Sequence, residues 1–336
     1  MYDPRVYLSL DNCFAKKRWA MPEDWAPVVA DLGIRYVELS ADTEADPMYM
    51  GSTYLQRWDD SVAKACERWG LQVASLYSGH GSYTTLGLLH PDTAVVERLL
   101  SKWVFPAIHR SSRFGAAFGF FFHAVPEHAL HNRELYDQEI RRLTETMMRI
   151  ADEAARCNPA VPIALEQMYT PNQPPWRIQD SQELLHHVHS TTGSPLYITV
   201  DTGHAWAQRR FVGAAGVHHA QVEDADPYAW LAQLGGWSPI IHLQQTDLSG
   251  SGHWPFTAEK NARGVITGDA VLKAISQVDT TILATPPCED IFLTLEMFAG
   301  TADDSADLLQ SLDESVRYWR QFIPEDGMRL SQLLDR

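Results

Sequence analysis

The stretch "LYITVDTGHAW" (residues 196–206) decides the fold. Its first five residues are strand formers, and the run stops abruptly at Asp201, Thr202, Gly203 and His204. A helical pattern, "QELLHHV" (182–188), precedes it and is opened by Asp180 and Ser181, a start signal. Helix, short strand and polar strand end form one unit. Moving outward in both directions, the same unit recurs. Further strands are predicted at "VYLSLDN" (6–12), "YVELSA" (36–41), "QVASLYS" (72–78), "FGFFFHA" (118–124), "PIALEQM" (162–168), "PIIHLQQ" (239–245) and "IFLTLEM" (291–297). Helical periodicity fills gaps such as 53–69, 92–110, 133–156, 269–278 and 304–322.

Eight strand–helix alternations place helices outside a parallel sheet. At this count a closed (β/α)8 TIM barrel is the expectation: one domain over 1–336, with a C-terminal tail from about 324 to 336. An open doubly wound sheet is the alternative, and the lack of GxGxxG after the first strand weakens its dinucleotide-binding form. Insertions are expected after strands six and seven. The first, 205–236, contains a short helical stretch, "DPYAWLAQL"; the second, 248–268, is a long loop.

Of 336 residues, 27 are Lys or Arg and 43 Asp or Glu, for a net charge of −16. Nucleic-acid binding needs a basic stripe, so no nucleic-acid partner is expected. No apolar run reaches the ~20 residues of a membrane span, so no membrane partner is expected either. Four scattered cysteines without a CxxC pair read as free thiols in a reducing compartment, which points to the cytoplasm.

The last four strands each end on a side chain able to bind metal: Glu166, Asp201, His242 and Glu296, separated by 35, 41 and 54 residues. One such residue is ordinarily a cap or an ion-pair partner. Four at successive strand ends converge on one barrel mouth, where a divalent ion would relieve the repulsion of three carboxylates. Three oxygen donors and one imidazole favour Mn²⁺, with Mg²⁺, Co²⁺ and Zn²⁺ as alternatives. Glu38, ending the second strand, and His123, ending the fourth, are candidate substrate-binding groups. The polar run "SGHGSYTT" (78–85) offers backbone for an anion.

These residues resemble the xylose-isomerase-like sugar isomerase and epimerase superfamily, especially its D-tagatose 3-epimerase type. That pattern is Glu, Asp-x-x-His, His and Glu on strands five to eight, read here as "LEQM", "VDTGH", "IHLQ" and "TLEM". The resemblance implies Glu166, Asp201, His242 and Glu296 as metal ligands and Glu166 and Glu296 as the catalytic acid/base pair. It implies His204 as a substrate-contacting histidine and a homo-oligomer, dimer or tetramer, as the assembly. The expected activity is a metal-dependent isomerase or epimerase of a ketose or short ketose phosphate, such as a tetrulose phosphate, through a cis-enediolate. One departure stands out. The family's substrate-gripping arginine falls at Leu248, leaving Asp247, His253 or Arg263 as replacements. Three rival readings share the barrel. A hydroxy-keto acid isomerase would use the same site. An endonuclease IV-like repair nuclease would need more histidines and a basic groove. A non-catalytic sugar-binding barrel would not need two opposed glutamates.

Overall fold

The computed structural model describes residues 2–41, 43–78 and 85–336. All eight strands form: β1 (Arg5–Asp11), β2 (Tyr36–Ser40), β3 (Gln72–Ser78), β4 (Ala117–Phe120), β5 (Ile163–Glu166), β6 (Tyr197–Asp201), β7 (Ile240–Leu243) and β8 (Asp290–Leu295). They pair in parallel in chain order, and β1 joins both β8 and β2 to close a (β/α)8 barrel. β4 is shorter than expected, so His123 lies beyond the strand, in an isolated bridge with Gly87.

Side chains alternate across each strand. Leu165, Ile198, Val200, Ile241, Leu243, Leu293 and Leu295 belong to the main core. Residues of opposite parity, such as Ala164 and Ile240, form a separate small cluster with Tyr77 and Ala117. Glu166 and His242 follow Ala164 and Ile240 by two positions, so they share that second face. The helix Pro227–Leu234 packs against the helices Ile178–Thr192 and Gly268–Ser276 and so serves as the outer helix of the sixth unit. The true insertion after β6 is the 3₁₀ helix His204–Phe211 and the chain up to Asp226. No helix among the described residues is long and apolar enough to cross a membrane.

The tail is ordered. β9 (Met328–Arg329) pairs antiparallel with Arg5 and Val6, on the part of β1 that lies ahead of its pairing with β2 at Ser9. Ser331 then bonds Asp3 through its backbone N and its hydroxyl at 2.8 and 3.0 Å.

One buried ion pair anchors the segment beyond β2. Arg110 donates to Asp59 at 2.7–3.1 Å and to the Ala45 carbonyl at 2.6 Å. Removing one partner strands the other charge in the interior. Asp59→Ala is therefore expected to lower unfolding free energy by about 3–5 kcal/mol, read from urea denaturation.

Candidate active site

The ends of β5 to β8 meet. Glu166, Asp201, His242 and Glu296 are all buried. Two overlapping groups, Glu166–Asp201–His204 and Asp201–His242–Glu296, each present donor atoms within 4.8 Å of one another. His242 sits between the glutamates, its Nδ1 3.5 Å from Glu166 Oε1 and 3.4 Å from Glu296 Oε2.

The histidines are oriented by their far nitrogens. His242 Nε2–H donates to Glu38 Oε1 at 2.9 Å, which turns Nδ1 toward the carboxylates. Ser75 donates to the other Glu38 oxygen at 2.5 Å. The Tyr77 ring packs on His242 with centroids 4.4 Å apart, in room left by Gly119, where a Cβ would come within 2.1 Å of the Tyr77 ring. His204 Nδ1–H donates to the Gln167 carbonyl at 2.7 Å, leaving Nε2 free to face Asp201 Oδ2 at 3.6 Å. A histidine whose outer N–H is fixed by a carboxylate or carbonyl is arranged as metal-binding histidines are.

Electrostatics tell the same story. Burial pushes the Glu296 carboxyl up, against the pull of His242 and His253. Burial opposes charge on His242, but Glu296 and Glu38 outweigh it and hold that imidazole well above its usual range. Burial also opposes charge on Asp201, yet the three histidines and Gln244 keep its carboxyl low. The crowded negative charge thus draws a cation, and a proton fills that role when no metal does. His242 Nδ1 and Glu296 Oε2 are both buried without a hydrogen-bond partner. Three carboxylates and an imidazole nitrogen, with these two orphaned atoms among their donors, fit a divalent ion.

The other expected site residues are placed as follows. His253 reaches the cluster, its Nδ1 3.2 Å from Glu296 Oε2 and its ring edge-on to Phe298. Glu38 lies deeper than a substrate-facing group would, with both oxygens engaged by His242 and Ser75. Asp247 turns to its own loop and accepts from the Ser249 backbone at 2.9 Å. Arg263 stacks over Trp254 at 4.4 Å, with Lys260 also over that ring at 5.2 Å. His123 is enclosed, donating from Nε2 to the Pro174 carbonyl, and burial pulls its pKa down to about 4. None of its described partners belongs to the cluster. Residues 79–84 of the polar run lie outside the described residues.

Sequence reasoning missed three participants. Asp11 ends β1 as Glu166 ends β5; burial, Glu38 and Glu296 push its carboxyl well up. Gln244, two residues beyond His242 and so on its face, donates to both Asp201 oxygens at 2.8 and 3.0 Å. Ser75 fixes Glu38. Ser75→Ala and Glu38→Gln are expected to weaken Mn²⁺ binding about 10–100-fold by calorimetry, the range for lost outer partners of a metal-binding histidine.

Relatives agree with this architecture. A D-erythrulose 1-phosphate 3-epimerase of Brucella abortus (strain 2308) is 26% identical over 325 residues, covering 94% of this chain and 96% of that protein. A crystal structure from Rhodospirillum rubrum ATCC 11170 superposes with a TM-score of 0.77 at 24% identity, over 94% of this chain and 99% of the other. D-Psicose 3-epimerase from Clostridium cellulolyticum H10, solved with D-tagatose, gives 0.61 at 14% identity, over 94% and 98%. The family model for xylose isomerase-like TIM barrels matches residues 27–321, and the chain belongs to that family.

Proposed function

We propose that this protein is a divalent-metal-dependent isomerase, specifically a 3-epimerase of a short ketose phosphate of the tetrulose 1-phosphate class. The observation that carries the reading is the placement of Glu166 Oε1 and Glu296 Oε2 at 3.5 and 3.4 Å from one bare His242 nitrogen. Two carboxylates thus reach a shared point from β5 and β8. The Brucella abortus relative, named for erythrulose 1-phosphate, supports the substrate class.

In this reading Glu166, Asp201, His242 and Glu296 hold the ion, which supplies Lewis-acid stabilisation of negative charge on the substrate oxygens. Manganese suits a site of three carboxylates and one imidazole. One glutamate removes the proton from C3, beside the ketone, leaving a planar enediolate. The other returns a proton to the opposite face, which inverts C3. His204, its Nδ1–H fixed on Gln167, contacts a substrate oxygen. His253 takes the place of the family's arginine beside the substrate. Four free thiols fit a cytoplasmic enzyme.

The test is isotope exchange in D₂O with Mn²⁺-loaded protein and either tetrulose 1-phosphate or the unphosphorylated tetrulose. Deuterium entering at C3, with the epimer appearing, supports the proposal. With the unphosphorylated tetrulose, whose C1 hydroxyl is free, label at C1 would indicate aldose–ketose isomerisation instead. No label with any ketose, ketose phosphate or hydroxy-keto acid overturns the proton-transfer scheme.

A further inference from the structure

The loop after β7 crosses the barrel mouth in a conformation that its own sequence disfavours. Leu248 and His253 both adopt left-handed backbone angles, with φ of +59° and +45°. Neither is glycine, so each conformation persists only because surrounding contacts hold it. Leu248 donates its backbone N–H to the Thr246 hydroxyl at 2.9 Å, and at His253 the holding group is Gln244. Its Oε1 accepts from the His253 backbone N–H at 2.9 Å and from the Ser251 hydroxyl at 3.1 Å. Its Nε2 donates to both oxygens of Asp201. Only this orientation of the amide satisfies both ends, because the carboxylate can only accept and the backbone N–H can only donate.

Space for the amide is reserved by Gly203, where a Cβ would lie 2.2 Å from Gln244 Cδ. The network extends one strand further. Tyr169, on the chain beyond β5, donates to the Ser251 hydroxyl at 3.2 Å and lays its ring against His204, centroids 4.0 Å apart.

We propose that Gln244 is a positioning residue that couples metal occupancy at Asp201 to the placement of the 246–256 loop, and with it His253. The amide is planar, so its two ends move as one body. An ion that fixes the Asp201 carboxylate fixes the plane of its hydrogen-bonded partner. That plane sets where Oε1 points, hence where the His253 backbone sits. Through that backbone the His253 ring is aimed at Glu296. By linkage, a well-placed loop strengthens ion binding in return. The inference rests on the metal reading of the site, and its test separates the two.

The experiment is hydrogen–deuterium exchange of the full chain with and without saturating Mn²⁺, paired with calorimetric titration of Mn²⁺ alone. In the wild type, Mn²⁺ is expected to slow exchange in the 246–256 segment about tenfold. In Gln244→Met, Mn²⁺ binds about 10–100-fold more weakly. At saturation the ion no longer slows that loop, while exchange in the helix Arg133–Ala155 matches the wild type and reports an intact fold. Gly203→Ala keeps the glutamine but displaces its amide, and it should show the same uncoupling. Wild-type protein that binds Mn²⁺ without any change in the loop overturns this inference and leaves the metal site standing. So does a loop response in both variants equal to that of the wild type. Wild-type protein that binds no Mn²⁺ overturns both.

Discussion

Glu296→Gln is expected to cut turnover by about 10²–10⁴-fold while leaving the barrel folded. The lower bound is the usual contribution of one proton-transferring group, and the upper bound is reached when that group is also a ligand to the ion. Glutamine keeps the shape but carries no exchangeable carboxyl proton. Its stability consequence runs the other way. Glu296 is buried, and burial already disfavours its ionised form. Replacing it with a neutral isostere removes one like charge from the cluster, so the ion-free variant should melt at or above the wild-type temperature. A variant that is inactive yet at least as stable places the defect in chemistry. Glu166→Gln should behave alike in turnover. If epimerisation proceeds through two opposed acids, either variant should also lose deuterium uptake at C3. Full uptake in both variants would sink the assignment of the acid/base pair.

Removing divalent ions is the second large effect. The cluster holds Asp201, Glu166 and Glu296 beside His242, His204 and His253, with Glu38 close enough to shift the His242 titration and Asp11 itself shifted by Glu296. An ion that binds only the folded state stabilises it by about 2.7 kcal/mol at a hundred times its dissociation constant. Chelation should therefore lower the melting temperature by several degrees, and Mn²⁺ should restore it. The pH dependence follows from His242. In the ion-free protein its folded pKa is raised, so below that value Nδ1 carries a proton that the metal must displace. Mn²⁺ affinity should then rise with pH by about tenfold per unit until that pKa is passed, and fall as pH drops. Isothermal titration at several pH values reads the slope. A flat profile would mean that Nδ1 is not the point of attachment.

Much of this was legible beforehand because barrels write their architecture locally. Each strand of the buried sheet is a short apolar run, and each polar residue at its end is conspicuous against that background. That is how "VDTGH" and "IHLQ" exposed Asp201, His204 and His242. Gln244 was illegible for a physical reason. An amide two residues past a histidine looks like any loop residue until β6 brings Asp201 to one end and the loop after β7 folds His253 onto the other. Glu38 shows how the partner of a strand-end carboxylate is invisible in sequence: the barrel brings β2 across from β7 and sets this carboxylate behind His242. In sequence the helix Pro227–Leu234 reads as an addition, because the 3₁₀ segment before it lengthens the connection and disguises the regular unit.

The short β9 has a meaning for biosynthesis. Ring closure staggers β1 so that Arg5 and Val6 project past the start of its pairing with β2, and Met328 and Arg329 are the residues that cap this overhang. β1 can pair early with β2 through Ser9–Asp11, but its Arg5–Val6 segment waits first for β8 and then for the capping pair. A nascent chain stalled before residue 328 would present bare amide and carbonyl groups at its oldest end, a template for pairing with a neighbouring molecule.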